Sequence, residues 1–270
     1  PQDQFTLTMA PRVAGDKVII GAAGGDKPTR GRFFAVDAQT GRLAWTFYTV
    51  PGDPSQPFEN EAMRVAAKTW GGEFYKNGGG GAVWDGFAYD PEANLVYVGT
   101  GNPQPWVQKF RGAQNVDNLY TCSILAVDLT TGELRWHYQA VPNDNWDYDN
   151  VQQLMLLDLE IGGRTRKVIT QAAKNGFFYV LDRVTGEFIS AEPFVKVSGG
   201  PGMGKAGRPI VNPAAYYDQD PISVYPTGGG GHNWSPMSYN PGTGLVYIPS
   251  FYMSFPYQAR TEEASSWRRG

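Results

Sequence analysis

Eight consecutive residues, Asn143-Asp144-Asn145-Trp146-Asp147-Tyr148-Asp149-Asn150, carry three carboxylates and three side-chain amides around two aromatic rings. In an extended segment alternate residues face the same way, so Asp147 and Asp149 are expected to point together. Two adjacent carboxylates repel each other unless a cation lies between them. An oxygen-rich set of this kind suits a hard ion, Ca²⁺ or a trivalent ion of similar size; the alternative is a solvated acidic loop. A second segment, Gly101-Asn102-Pro103-Gln104-Pro105-Trp106, leaves a strand at Leu95 to Gly99, and an Asn before Pro at a strand end can also be a plain turn cap. Two glycine runs, Gly78 to Gly81 and Gly228 to Gly231, lead into Trp84 and Trp234. Glycine lets backbone approach a flat partner closely, and neither run ends in the Gly-Lys-Ser/Thr of a phosphate loop. They suggest an aromatic ligand near an axis; the alternative, a flexible linker, sits poorly with the strands that follow both runs. With only two His, zinc is not supported.

The elements that must position these segments repeat along the chain. The phrase is a strand, an Asp or Asn, a turn rich in Thr and Gly, and a second strand. It occurs at Asp37-Ala38-Gln39-Thr40-Gly41, Asp128-Leu129-Thr130-Thr131-Gly132 and Asp182-Arg183-Val184-Thr185-Gly186, and more loosely at Asp90 to Asn94 and Asn240 to Gly244. The step averages roughly 50 residues, the period of a propeller with one sheet per repeat. The Asp carboxylate is expected to accept turn N–H groups. Trp45 and Trp136, on the second strands of two hairpins, are expected to pack between neighbouring blades. Val151 to Leu159 and Arg166 to Gln171 read as a strand pair, Glu59 to Ala67 as a short helix, and Ser198 to Gly231 as a long functional loop. The fold class is therefore all-β: a propeller of four-stranded antiparallel blades, about five of them, in one partial domain over residues 1–270.

Composition agrees. The chain has 270 residues, 34 Gly, 20 Pro and 14% aromatics, which suits many short strands and tight turns. Net charge is -3 with no Lys/Arg block, which argues against a nucleic-acid partner. No apolar run reaches the roughly 18 residues of a membrane span. The single Cys122 cannot form an internal disulfide and reads as a small buried hydrophobe. The chain starts at Pro1 without an initiator Met or signal peptide, and a piece of a larger ring is expected.

From Thr8 to Tyr257 the sequence resembles the quinoprotein alcohol dehydrogenases, the methanol and ethanol dehydrogenase family that uses pyrroloquinoline quinone (PQQ). The motifs are Gly81-Ala82-Val83-Trp84-Asp85, Gly99-Thr100-Gly101-Asn102-Pro103, Trp146-Asp147-Tyr148-Asp149, Ala173-Lys174-Asn175-Gly176 and Gly231-His232-Asn233-Trp234. The resemblance implies an eight-bladed ring, of which this chain is an internal part. It implies alcohol oxidation to an aldehyde, with Asp147 as catalytic base. It makes Trp84 the floor on which PQQ stacks, Lys174 a contact of the quinone oxygens, and Thr8, Gly24, Gly25, Asn233 and Trp234 further cofactor contacts. Asp26, Asn102, Asp147 and Asp149 become the metal ligands. Asp26 stands where the family usually has Glu, and Ala82 where many members have Thr. Asp149 matches the additional Asp of lanthanide-dependent members, so the ion is Ca²⁺ or a lanthanide. A periplasmic location and a cytochrome c acceptor follow from the resemblance alone. A non-catalytic propeller, such as a scaffold in outer-membrane protein assembly, is the rival reading, as is an inactive fragment; a scaffold has no need of Trp84, Asn102, Asp147 and Lys174 together.

Overall fold

The computed structural model describes residues 5–112, 116–217 and 220–259. Three antiparallel meanders of four strands follow one another. The first is β1 (Arg12–Ala14), β2 (Lys17–Gly21), β3 (Arg32–Asp37) and β4 (Leu43–Tyr48). The second is β5 (Phe87–Asp90), β6 (Leu95–Gly99), β7 (Ser123–Asp128) and β8 (Leu134–Gln139). The third is β9 (Met155–Ile161), β10 (Arg164–Ala172), β11 (Phe177–Asp182) and β12 (Phe188–Pro193). A hairpin of Ser238–Asn240 with Leu245–Tyr247 comes next. The expected propeller architecture is present: the described residues hold three four-stranded sheets and three two-stranded pairs, this hairpin among them. The Asp/Asn phrases count hairpins, not blades. Those at Asp90 and Asp128 close the two hairpins of a single sheet, β5–β6 and β7–β8.

Every phrase folds by the same local chemistry. Asp37 accepts from the N–H groups of Gln39 (3.2 Å) and Thr40 (2.8 Å) and from the Thr40 hydroxyl (2.7 Å). Asp128 accepts from Thr130 and Thr131 N–H, Asp182 from Val184 and Thr185 N–H, and Asp90 from Glu92 and Ala93 N–H. The short helix α1 (Glu61–Ala67) starts on an Asn60 side chain that accepts from Met63 N–H at 3.0 Å, and it buries Met63 and Ala66.

Adjacent sheets are joined by the two tryptophans. The Trp45 indole N–H donates to Leu129 O at 2.9 Å, and the Trp136 indole to Arg183 O at 3.2 Å. Each acceptor is the residue after the turn Asp of the next sheet. Each ring also lies on that turn's glycine: a Cβ at Gly132 would come within 2.7 Å of the Trp45 ring, and one at Gly186 within 2.7 Å of Trp136. β6 is buried along its whole length, because its sheet has a neighbour on either face. Its apolar run Leu95-Val96-Tyr97-Val98 reflects this. Arg183 adds a buried ion pair to Asp90 across the second seam, 2.7 Å.

The stretch after β12, read from sequence as one loop, contains two short pairs. Gly202–Met203 lies against Pro209–Ile210, and Ile222–Val224 against Phe255–Tyr257. No helix among the described residues is long and apolar enough to cross a membrane.

Two outcomes are expected. Gly186 has φ +77° as well as the Trp136 ring above it. Gly186→Ala should therefore cost about 2 kcal/mol in denaturant unfolding. The second concerns acid. Asp37 lies below the ordinary carboxylate range because the Thr40 hydroxyl and N–H bond its charged form. At Asp182 burial pushes the value up, but the Thr185 N–H and Arg166 outweigh it and the net shift is down. Depressed folded values contribute stability that is full above about pH 4 and is lost as pH falls through the folded values. The melting temperature should drop on acidification below about pH 4, and Asp182→Asn should make that drop shallower.

Candidate active site between the second and third blades

Asp147 and Asp149 converge on the Lys174 ammonium. Lys174 Nζ donates to Asp149 Oδ2 at 2.6 Å, to Asp147 Oδ2 at 3.3 Å and to the Asp147 main-chain O at 2.9 Å. Lys174 sits in the tight turn from β10 to β11, closed by Gly176 N–H on Ala173 O at 3.0 Å, and is only 4% exposed. The cation required between the two carboxylates is, in this structure, part of the chain itself.

The route to that convergence differs from the sequence expectation. Residues 143–150 form no strand, and Asp147 has φ +68°. The buried Asp144 carboxylate instead gathers the N–H groups of Trp146 (3.2 Å), Asp147 (3.1 Å) and Tyr148 (3.3 Å). This nest turns the backbone so that the acids two residues apart meet one nitrogen. Aromatic hydroxyls fix it from behind: Tyr217 donates to Asn145 O, Tyr257 to Trp146 O and Tyr148 to Pro226 O.

Asn102 adjoins the pair. Its main-chain N–H donates to Asp149 Oδ1 at 2.8 Å, and its side-chain NH₂ to Pro103 O at 3.1 Å, so the amide oxygen is the atom it can offer a metal. Contact this close depends on glycine: a Cβ at Gly101 would lie 2.7 Å from Asp149 Oδ1. Gly101 N–H also donates to Ala82 O at 2.7 Å, and a Cβ at Gly25 would come within 2.9 Å of the Ala82 methyl. Gly24-Gly25, Ala82, Asn102, Asp149 and Lys174 thus lie side by side across three sheets. Trp84, partly exposed, stands two residues past Ala82. Thr8 is exposed, two residues past the Thr6–Ala23 bridge.

The second glycine run packs on the lysine. Gly231 N–H donates to Lys174 O at 2.8 Å, and Gly230 leaves no room for a Cβ, which would sit 2.6 Å from Lys174 Cγ. Asn233, 7% exposed, donates to Gly229 O at 2.9 Å, while its Oδ1 is buried with no partner. Trp234 is 68% exposed. Asp26 lies farther out, exposed, accepting from Gln104 Nε2 at 3.0 Å and Trp106 Nε1 at 3.4 Å.

The electrostatics favour an additional cation. Burial pushes the Asp147 carboxyl up, Asp149 adds to the rise, Lys174 opposes it, and Asp144 and Asp26 push further up. One ammonium therefore does not neutralise this acid set. Among the described residues no three His, Cys, Asp or Glu side chains form a metal-holding group, so a metal here needs the Asn102 amide oxygen beside Asp147 and Asp149. That all-oxygen, negatively charged donor set fits a hard cation, and the unpartnered Asn233 Oδ1 fits a ligand bearing a hydrogen-bond donor.

Residues 1–200 match the family model for the glucose/ethanol/alcohol dehydrogenase β-propeller domain that carries the label PQQ. The chain belongs to the PQQ alcohol dehydrogenase β-propeller family. Quinohemoprotein alcohol dehydrogenase ADH IIB of Pseudomonas putida is 53% identical over 97% of this chain and 38% of that protein. The crystal structure of quinohemoprotein alcohol dehydrogenase from Comamonas testosteroni superposes with a TM-score of 0.91 at 50% identity, over 93% of this chain and 38% of that one. A europium-containing methanol dehydrogenase superposes with a TM-score of 0.82 at 36% identity, over 91% and 44% of the two chains. The chain spans less than half the length of these relatives.

Sequence reasoning missed Asp144 as an organiser, although an Asp followed by N–H groups two to four residues on is a readable turn signal. It also missed Arg111, whose acceptors are main-chain and amide oxygens that leave no pattern in the sequence. Removing the ammonium alone tests the site's charge balance. Lys174→Met should destabilise the metal-free protein by about 3 kcal/mol, since two buried carboxylates lose their counter-charge. In urea unfolding the loss should shrink as pH falls and Asp147, whose carboxyl is shifted up by burial, takes up a proton.

Proposed function

We propose that the protein containing this chain oxidises an alcohol to an aldehyde with PQQ, and that this chain contributes the base and the metal-binding side of the site. The observation that carries the reading is the meeting of Asp147, Asp149 and Lys174 beside Asn102. PQQ, when bound, supplies the two-electron acceptor, and a bound Ca²⁺ or lanthanide ion supplies Lewis acidity. Asp26, Asn102, Asp147 and Asp149 would hold the metal. Asp147 would accept the proton of the substrate hydroxyl as the alcohol carbon loses hydride. Lys174 keeps both acids oriented and opposes the upward shift of Asp147. Trp84 would be the aromatic floor for the cofactor, and Thr8, Gly24, Gly25, Asn233 and Trp234 would hold its edges.

Asp149 is the feature that bears on the ion. A trivalent cation needs more negative charge around it than Ca²⁺ does, and Asp149 provides a second buried carboxylate two residues from the base. The europium-containing relative supports the same reading. The names of the quinohemoprotein relatives support a haem-linked or cytochrome c electron acceptor and, with it, a periplasmic location.

Reconstitution of the full-length protein with PQQ and either Ca²⁺ or La³⁺, followed by dye-linked oxidation of a short primary alcohol, tests this directly. Asp147→Ala should lower kcat by about 10³-fold or more with PQQ still bound by absorbance; undiminished turnover would refute its role as base. Asp149→Ala should lose La³⁺-supported activity preferentially, and an equal loss with both ions would refute the lanthanide assignment.

A further inference from the structure

Arg111 is a fully buried cation, 0% exposed, in the connection between β6 and β7. Its guanidinium makes five hydrogen bonds, all to neutral oxygens. Nε donates to Asn118 Oδ1, Nη1 to the main-chain oxygens of Pro105 and Trp106, and Nη2 to Asn143 Oδ1 and the Asp144 main-chain O. A guanidinium has five N–H donors in a rigid fork, so none is left over for an anion.

The two segments it joins are the ones that carry the site. Pro105 and Trp106 continue the segment that begins at Gly101-Asn102, and Trp106 also reaches Asp26. Asn143 and Asp144 begin the segment that ends at Asp147 and Asp149. Gln108 reinforces the link: its N–H donates to Asn145 Oδ1 at 2.8 Å, and its Oε1 accepts from Asn143 Nδ2 at 2.5 Å. Arg111 grips the main chain of Asp144, the residue whose carboxylate forces the turn at Asp147.

We propose that Arg111 is a positioning residue that fixes Asn102 relative to Asp147 and Asp149, and so sets the affinity of the site for its metal. It acts in two stages, first on the Asp144 backbone and then, through the Asp144 carboxylate, on the Asp147 backbone. The proposal rests on the metal-binding reading above and adds to it a residue that touches neither metal nor substrate.

The test uses the full-length protein stripped of metal and titrated with Ca²⁺ and with La³⁺ by calorimetry, with no turnover involved. Arg111→Lys retains the buried charge but replaces a planar fork with a single nitrogen. It should fold with a lowered melting temperature, because three N–H donors cannot serve five buried acceptors, and bind the ion about 10- to 100-fold more weakly, the range seen when outer-shell partners are lost. Asn143→Gly, which suits the +50° φ at that position, removes one acceptor of the fork and should weaken binding in the same direction by several-fold. It decides the matter if the lysine variant does not fold. Wild-type affinity in both folded variants, or in Asn143→Gly alone where the lysine variant fails, overturns the positioning role while leaving the metal site intact. Failure of the wild-type protein to bind either ion overturns the metal reading and this proposal together.

Discussion

Burial of two carboxylates beside each other costs several kcal/mol per ion unless charge and hydrogen bonds offset it. Lys174 supplies that offset, and much of the surrounding structure serves to keep it there. The ammonium comes from the turn between β10 and β11, whereas the acids come from a connection that has just left β8. The two meet only if the second and third sheets are locked in register. The Trp136 indole on the Gly186 turn and the Arg183–Asp90 ion pair provide that lock some distance from the site. Packing at the rim and charge at the centre are therefore one constraint.

The site is built on connections, with strands as its frame. Asn102 and Lys174 lie just outside strand ends, and Asp147 lies midway along the connection from β8 to β9, where backbone can depart from the pleat. Close approach comes from glycine at Gly101 and Gly230, where the space for a Cβ is filled by Asp149 and Lys174. Direction comes from side chains that bond to main chain, Asp144 above all. Long unpaired segments inside a compact fold need such internal bonding to be rigid enough for chemistry.

What the sequence made legible followed from local rules. An Asp two to three residues before N–H groups, with Thr-Gly behind it, forms the same turn wherever it occurs, so the propeller could be read from Asp37, Asp128 and Asp182. The helix at Glu61–Ala67 was legible for the same reason. The pairing of Asp147 with Asp149 was expected, but for a different cause: strand alternation was assumed, and the structure uses the Asp144 nest. Residues acting over long sequence distance were invisible. Arg111 meets Asp144 from 33 positions away, and nothing in either local sequence encodes the other. The Asp phrases mark hairpins, so one sheet can carry two of them, as the second does at Asp90 and Asp128.

The tryptophan contacts have a direction. Each sheet reaches forward onto the glycine turn of the next: Trp45 onto Gly132, then Trp136 onto Gly186. In the third sheet the equivalent position is Ser190, and the space beside Gly244 in the next turn is open to 4 Å. The forward clasp therefore stops at the third sheet. The hairpin at Ser238–Asn240 and Leu245–Tyr247 is held instead by an apolar cluster in which Met237, Tyr239, Val246 and Ile248 pack with Met155, Leu157, Ala172 and Phe178 of the third sheet. The wall that carries Asn233 is thus joined to the third sheet by apolar packing and by the buried His232 ring on Ala172 O, with no indole among the described residues spanning that seam.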